Sequence, residues 1–330
     1  MPNPHSRPLS DLGLKGTILG AWVVNAVLIL GAGIGLLWYW AAMPPWPPES
    51  ETSLAQPIAT RTAPSFTQIP LPPSFTPVIP TRPSATSAQT QAATPIPFME
   101  GPIRIGFAVS GRPLEIFRFG TGPTRRLIVA GIHGGSEWNT IALANELITH
   151  LQSHPEIIPS DITLYILPNL NPDGEARAHG ADGRVNNNGV DLNRNWPVNW
   201  QAEWSTNGCW AYRPVSAGPY PASEPETVYL MNFILWHDID AIISYHSAAL
   251  GIFPGGRPPH EHSISLAEVI AEVSNYPYPP IDTGCEYTGN FTDWATSKGI
   301  TAIDIELTNH YDTDFKQNLK ILEVFLNWKR

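Results

Sequence analysis

The 330-residue chain predicts an α/β domain of three layers, a twisted, largely parallel sheet between helices, confined to residues 98–330. Two observations carry that expectation. Short apolar runs alternate with helical patterns from about residue 100 to the end, and alternating strands and helices bury a sheet on both faces. The composition also breaks near residue 97: 14 of the 35 prolines lie between Pro44 and Pro97, with 15 Ser or Thr and only four charges. Such a stretch cannot bury enough apolar area to offset its ordering entropy, so the core must lie beyond it.

Residues 1–16 form a short polar start, expected in the cytoplasm. Thr17–Ala42 then reads TILGAWVVNAVLILGAGIGLLWYWAA without a charge. A helix needs roughly 20 apolar residues to cross a bilayer core, and this run is long enough. Trp38, Tyr39, Trp40 and Trp46 stand where an interfacial aromatic belt belongs. Arg7 and Lys15 precede the run and Glu49 and Glu51 follow it, which orients the remaining chain outside the cell membrane. A cleaved signal would have an apolar region of about 7–15 residues, so an uncleaved single-pass anchor is expected. GAGIG at 31–35 has no preceding buried strand and is membrane composition rather than a phosphate loop. Residues 43–97 are expected to be a disordered tether with extended polyproline stretches.

Within 98–330, residues 103–120 alternate as two strands around Ser110-Gly111-Arg112-Pro113. RLIVAGIH (126–133) is a buried strand, WNTIALANELITHLQ (138–152) a helix and ITLYILP (162–168) a second buried strand. SEPETVYLMNFILWHDI (223–239) is helical, opening with Ser223 and Glu226 at capping-box spacing. AIISYH (241–246) is a strand, 263–276 a helix, TAIDIEL (301–307) a strand and 312–329 a closing helix.

Residues 98–330 hold 26 acids against 15 bases. Without a basic cluster to neutralise phosphates, nucleic acid is excluded as a partner. Two cysteines, Cys209 and Cys285, are too few for a cysteine metal cluster, and in an oxidising compartment they could pair.

Ligands of open α/β sheets bind beyond the strand carboxyl ends, which brings His133, His246 and Glu306 together. In HGGSE, His133 ends a strand and Glu137 enters a helix, and the glycines let the loop bend between them. Catalytic zinc takes three protein ligands from His and Asp/Glu and leaves a position for water. Each of these residues also has a plain alternative, as a hydrogen-bonded strand end or a salt bridge. Glu306 is positioned as a general base for a metal-activated water, with Asp304 on the same face as its rival. RVNNNGVDLNRNW (184–196) adds Arg184 and Arg194, whose guanidinium groups suit a carboxylate or a developing oxyanion.

GIHGGSEWNT, PNLNPDGEARAHG, RVNNNGVDLNRNW, SEPE, ISYHS and IDIEL together resemble the zinc metallocarboxypeptidases, the group of carboxypeptidases A and B, with the compact bacterial branch nearest. The resemblance covers nearly all of 98–330. It implies an eight-stranded mixed sheet and one Zn2+ on His133, Glu137 and His246. It further implies Glu306 as general base, Arg184 polarising the scissile carbonyl, and Asn193 with Arg194 clamping the substrate's terminal carboxylate. HGGSE has three residues between His and Glu where the family usually has two, and the extra glycine is expected to be absorbed in the loop. The family's mobile tyrosine is assigned to Tyr287, with Tyr276 and Tyr278 as rivals. Thr292 falls at the base of the specificity pocket and is neither apolar nor charged. The Trp-rich insert 196–210 is expected at the rim of the site, and the remaining histidines, His179 and His310 among them, at the surface or in packing.

These features imply a membrane-tethered zinc carboxypeptidase acting on peptides. An amidase that cuts peptidoglycan stem peptides before a diamino acid would use the same residues. A tethered protein that binds carboxylate-ended ligands without cleaving them is the reading from another class. Oligomeric state is not legible.

Overall fold

The computed structural model describes residues 97–209, 215–248 and 250–330. The anchor expected at 17–42, the segment before it and nearly all of the tether lie outside the described residues. Among the described residues no helix is long and apolar enough to cross a membrane.

Seven strands form one mixed sheet among these residues, ordered β1-β2-β4-β3-β5-β7-β6. They are β1 (Met99–Phe107), β2 (Pro113–Gly120), β3 (Thr124–Val129), β4 (Ile162–Leu167), β5 (Ala241–Ser247), β6 (Ile252–Pro254) and β7 (Thr301–Leu307). The inner four, β4-β3-β5-β7, are parallel. Both edges are antiparallel, with β1 and β2 on one side and β6 on the other. The expected mixed sheet between helices is present; among the described residues it has seven strands rather than eight, and three of its six pairings are antiparallel. The reason is connection length: β1 and β2 form a hairpin, whereas a parallel pair needs a crossover of about a dozen residues or more.

The helices are α1 (Trp138–Ser153), α2 (Pro172–Arg177), α3 (Pro225–Trp236), α4 (Glu261–Ala271), α5 (Phe291–Ser297) and α6 (Phe315–Asn327). Side chains alternate across a strand, and the core divides accordingly. Ile128, Ile166, Ile243, Ile303 and Ile305 pack with Leu147 of α1, Leu266 of α4 and Phe325 of α6. Leu127, Tyr165, Ile242 and Ala302 pack with Leu230 of α3 and with Phe291 and Trp294 of α5. The sheet therefore carries a helical layer on each face. The capping box expected at Ser223 and Glu226 does not form. Glu224 is the N-cap and makes no side-chain cap, while the Glu226 carboxylate accepts the Val109 N–H at 3.0 Å.

On the second face Trp196, Phe291 and Trp294 form an aromatic cluster with ring centroids 4.5–6.4 Å apart. It supports the loop of residues 184–196 from below. Trp294 is fully buried. Trp294→Ala should destabilise the domain by about 3–5 kcal/mol, measured by urea denaturation; a change within experimental error would show that the cluster carries no load.

Candidate active site

The site forms where β3, β5 and β7 end. Chain leaving β3 reaches His133 and enters a 3-10 turn over Gly134–Glu137. Gly134 has φ +48°, and a Cβ on Gly135 would lie 2.0 Å from the Ala178 carbonyl oxygen, so neither position accepts a side chain without movement. The tight turn absorbs the extra residue of HGGSE and returns the Glu137 carboxylate to the imidazole, 2.6 Å from His133 Nδ1. The β5–β7 register pairs Ser244 with Asp304 and His246 with Glu306, placing all four on the face of Ile242 and Ala302.

His133, Glu137 and His246 are buried, and their ligand atoms all lie within 4.8 Å of one another. The two Nδ1 atoms are 3.3 Å apart, and His246 Nδ1 is 3.1 Å from Glu137 Oε2. Both Nε2 atoms face away from this point, toward carboxylates: Asp191 Oδ1 at 3.1 Å for His133 and Asp304 Oδ1 at 3.4 Å for His246. An acceptor at Nε2 fixes the proton there and leaves the Nδ1 lone pair for a metal. Two imidazoles and one carboxylate so arranged fit zinc.

Charges in this cleft shift one another. Burial would raise the Glu137 carboxyl, but His133 and His246 outweigh it and hold the group low. Burial would lower the His246 imidazole, and Glu137, then Asp304, outweigh that and raise it. Asp191 is held well below the usual carboxylate range by Arg184 and His133 against its own burial. Glu306 goes the other way, pushed up to about 8 by burial first and by Glu137 second.

Asp191 also accepts Arg184 Nε at 2.8 Å, while Arg184 Nη1 lies 3.6 Å from Glu137. The loop carrying Arg184, Asn193 and Arg194 is fastened from behind by a buried acid. Glu224 Oε2 accepts from Asn186 and Asn188 at 2.7 and 2.8 Å, and the Glu224 N–H donates to Asn195 Oδ1 at 3.2 Å. Asn193 Oδ1 accepts the Phe291 N–H at 2.9 Å, which turns its NH2 end toward His246. Arg194 donates Nη1 to the Asn193 carbonyl, and its buried Nε has no partner. Its guanidinium lies 5.7 Å from the Trp204 ring centre and 5.6 Å from that of Tyr287.

All eight residues singled out in the sequence line one cleft: His133, Glu137, Arg184, Asn193, Arg194, His246, Tyr287 and Glu306. The rivals of Tyr287 lie elsewhere. Tyr276 is buried with its hydroxyl on Asp314 and Asn318 of the α6 region, and Tyr278 packs against the core. Cys209 and Cys285 form a disulfide that ties the Trp-rich insert to the segment bearing Tyr287. His179 and His310 are exposed, as expected, and also line the cleft. His179 stacks on Trp138, and His310 Nδ1 lies 3.1 Å from Ser247 Oγ. Asp191 and Glu224 were missed as site residues. Their only sequence signal was an acid two residues before Asn193 and an acid inside SEPE, and neither spacing shows what the carboxylate touches.

The profile of the family described as zinc carboxypeptidase matches residues 89–320. The chain belongs to this zinc carboxypeptidase family. Zinc is the metal of the family, and the donor set fits it. Among relatives, mast cell carboxypeptidase A of Rattus norvegicus is 30% identical over 246 residues, 62% of this chain and 57% of that protein. The Homo sapiens protein of the same name is 31% identical over 240 residues, 62% of this chain and 56% of that protein. The chain thus spans a little over half the length of these curated relatives. Two solved structures show the fold. Murein-tripeptide amidase from Escherichia coli O157 has a TM-score of 0.50 at 23% identity, over 72% of this chain and 95% of that one. Bovine thrombin-activatable fibrinolysis inhibitor has a TM-score of 0.55 at 21% identity, over 68% and 87%.

Asp191→Asn keeps the shape but weakens the hold on His133. Zinc affinity should fall about 10–100-fold, read by competition with a chromogenic chelator; unchanged affinity would remove Asp191 from the metal centre.

Proposed function

We propose that this member of the family is a zinc-dependent carboxypeptidase, removing the terminal residue of peptides by cutting the last amide bond. The observation that carries this reading is Arg194: a buried guanidinium with an unpartnered Nε, in the same cleft as the donor set and Glu306. A buried cation so close to a hydrolytic centre suits a substrate that ends in a carboxylate, and so favours cleavage at a chain end.

Zinc on His133, Glu137 and His246 supplies Lewis acidity, acidifying water and polarising the scissile carbonyl. The substrate's carboxylate lies on Arg194, with the NH2 of Asn193 as a second donor. Arg184 has its Nε committed to Asp191, which points the Nη end into the cleft for the oxyanion that develops. Glu306 takes the proton of the attacking water and passes it to the leaving nitrogen as the C–N bond breaks. Tyr287 and Trp204 border the carboxylate site.

Cleavage of stem peptides before a diamino acid is the second reading. What favours it is compactness, since the described domain covers 95% of the murein-tripeptide amidase structure. The same residues serve, with the diamino acid's carboxylate on Arg194. Either activity would take place outside the cell membrane, with residues 17–42 as anchor and 43–97 as tether. Cys209–Cys285 supports that placement, because disulfides persist in oxidising compartments.

Glu306→Gln should retain zinc and lose about 10²–10⁴-fold in kcat; wild-type kcat with full zinc would remove Glu306 as the base. The full chain should remain in the membrane pellet after an alkaline carbonate wash and be digested by protease added outside intact cells. Release by carbonate alone would count against the anchor.

A further inference from the structure

The large apolar side chains of the domain are mostly buried, but one face departs from that rule. α3 reads PETVYLMNFILW, and its only charged residue, Glu226, is buried. Leu230, Phe233 and Ile234 pack inward. Val228, Tyr229, Asn232, Leu235 and Trp236 recur at helical spacing on the outer side and are all exposed, Trp236 to 86%. A helix that is apolar on every side is normally covered. The face continues onto β1, where the Tyr229 ring packs against Gly106 and where Phe107 and Val109 are exposed. Apolar surface of this extent marks a docking site.

Three observations bear on what covers it. The first is where the chain enters. Residues 1–96 join the domain just ahead of β1, and Arg118 fixes the entry by donating to the Pro97 carbonyl at 2.9 Å. Phe98, beside that entry, is exposed as well.

The second is orientation. Arg125, at the start of β3, donates to the His237 carbonyl at 3.1 Å, so the Trp236 end of α3 lies where the parallel strands begin. β1 is antiparallel to β2, and β2 to β4, so the chain enters β1 at the same end. The cleft lies where β3, β5 and β7 finish, at the opposite end of the sheet.

The third is charge. Residues 98–330 are strongly acidic. At this end, however, Glu100 is paired with Arg118, Asp238 with Arg125 and Asp240 with Arg330, at 3.1, 3.4 and 3.4 Å. An apolar face with neutralised acids near it suits a lipid surface, and Trp with Tyr suits the bilayer interface. Pairing of edge strands with a second copy is opposed by β1 itself, which carries Pro102 and two register irregularities.

We propose that the outer face of α3 is a lipid-docking surface, which seats the strand-start end of the domain on the bilayer and turns the cleft away from it. The inference rests on the membrane placement proposed above. Attachment of the same chain to the bilayer raises the local concentration of lipid, so a small face suffices.

The test uses the full chain reconstituted in phosphatidylcholine vesicles. Its only two cysteines form the disulfide, so Asn232→Cys gives a single thiol for a fluorophore in the middle of the face. Tyr311→Cys, at the exposed rim of the cleft, is the comparison. Nitroxide on the lipid acyl chains should quench the label at 232 and not at 311. Aqueous iodide should quench the label at 311 and spare 232. Trp236→Asp combined with Leu235→Asp should abolish the lipid quenching at 232 and restore iodide access there. Should Asn232→Cys fail to fold, Val228→Cys places the label one turn away on the same face. Iodide quenching at 232 equal to that at 311, in chain that stays with the vesicles, overturns the inference and leaves the tether standing. Protection from iodide without lipid quenching means that protein, such as a second copy, covers the face, and this too overturns it. So does lipid quenching at 311 as strong as at 232, or lipid quenching at 232 undiminished by the two aspartates. Chain that does not associate with the vesicles removes the membrane placement and the inference together.

Discussion

One carboxylate, that of Asp191, holds His133 through Oδ1, Arg184 through Oδ2 and its own loop through the Asn193 N–H. Each bond depends on the others. A buried carboxylate stays ionised only with donors on its lone pairs, and Asp191 is fully enclosed. Arg184 supplies the charge that keeps it ionised, and ionised Asp191 fixes the proton of His133 on Nε2. The metal-facing nitrogen of His133 is therefore set by an arginine on the other side of the carboxylate. Asn193 and Arg194 follow, because the bond to Asp191 Oδ1 shapes the turn that carries them.

The sheet contributes the second constraint. In parallel strands the register pairs His246 with Glu306 and Ser244 with Asp304. A slip of one residue in β7 would send Asp304 and Glu306 to the opposite face. The apolar residues around them oppose that slip, since Ile303 and Ile305 are fully buried on that other face. The core that stabilises the domain thus also fixes which carboxylates face the metal centre. This accounts for the opposite shifts of two acids so near each other. Glu137 lies against two imidazoles that outweigh its burial and hold it low, while burial first and the field of Glu137 second hold Glu306 up.

The layered α/β architecture was legible because β3, β4, β5 and β7 are apolar runs bounded by polar turns, a pattern set by burial on both faces. β6 was not legible, as three residues carry no period. α5 was missed because its seven residues end in Thr and Ser and resemble a loop. His133, His246 and Glu306 could be placed at strand ends from spacing alone. Glu137 could be offered as a ligand, and Arg184 as a carboxylate or oxyanion partner, from residue type and position, but Asn193 and the particular role of each came through family resemblance. Asp191, Glu224 and Asp304 show the limit: each is an acid in a motif-bearing segment, but which group it touches depends on a partner 38 to 58 residues away or on the neighbouring strand. Tyr287 was separable from Tyr276 and Tyr278 only once the disulfide and the cleft wall were seen.

That disulfide joins two questions that look separate, where the protein resides and how its cleft is built. Cys209 and Cys285 both line the cleft, 76 residues apart in sequence. The insert held by Cys209 carries Trp204 to Arg194, and the segment held by Cys285 carries Tyr287 to the other contact of the same guanidinium. Among the described residues neither segment forms a helix or strand of its own, so their mutual position depends on the covalent bond and contacts such as Gln201 with Glu286 and the Trp196 N–H with the Gly289 carbonyl. In a reducing compartment that bond would be open and the aromatic surroundings of Arg194 would lose their fastening. The proposed carboxylate site and the proposed extracytoplasmic placement are therefore compatible: an oxidising compartment would keep this disulfide closed.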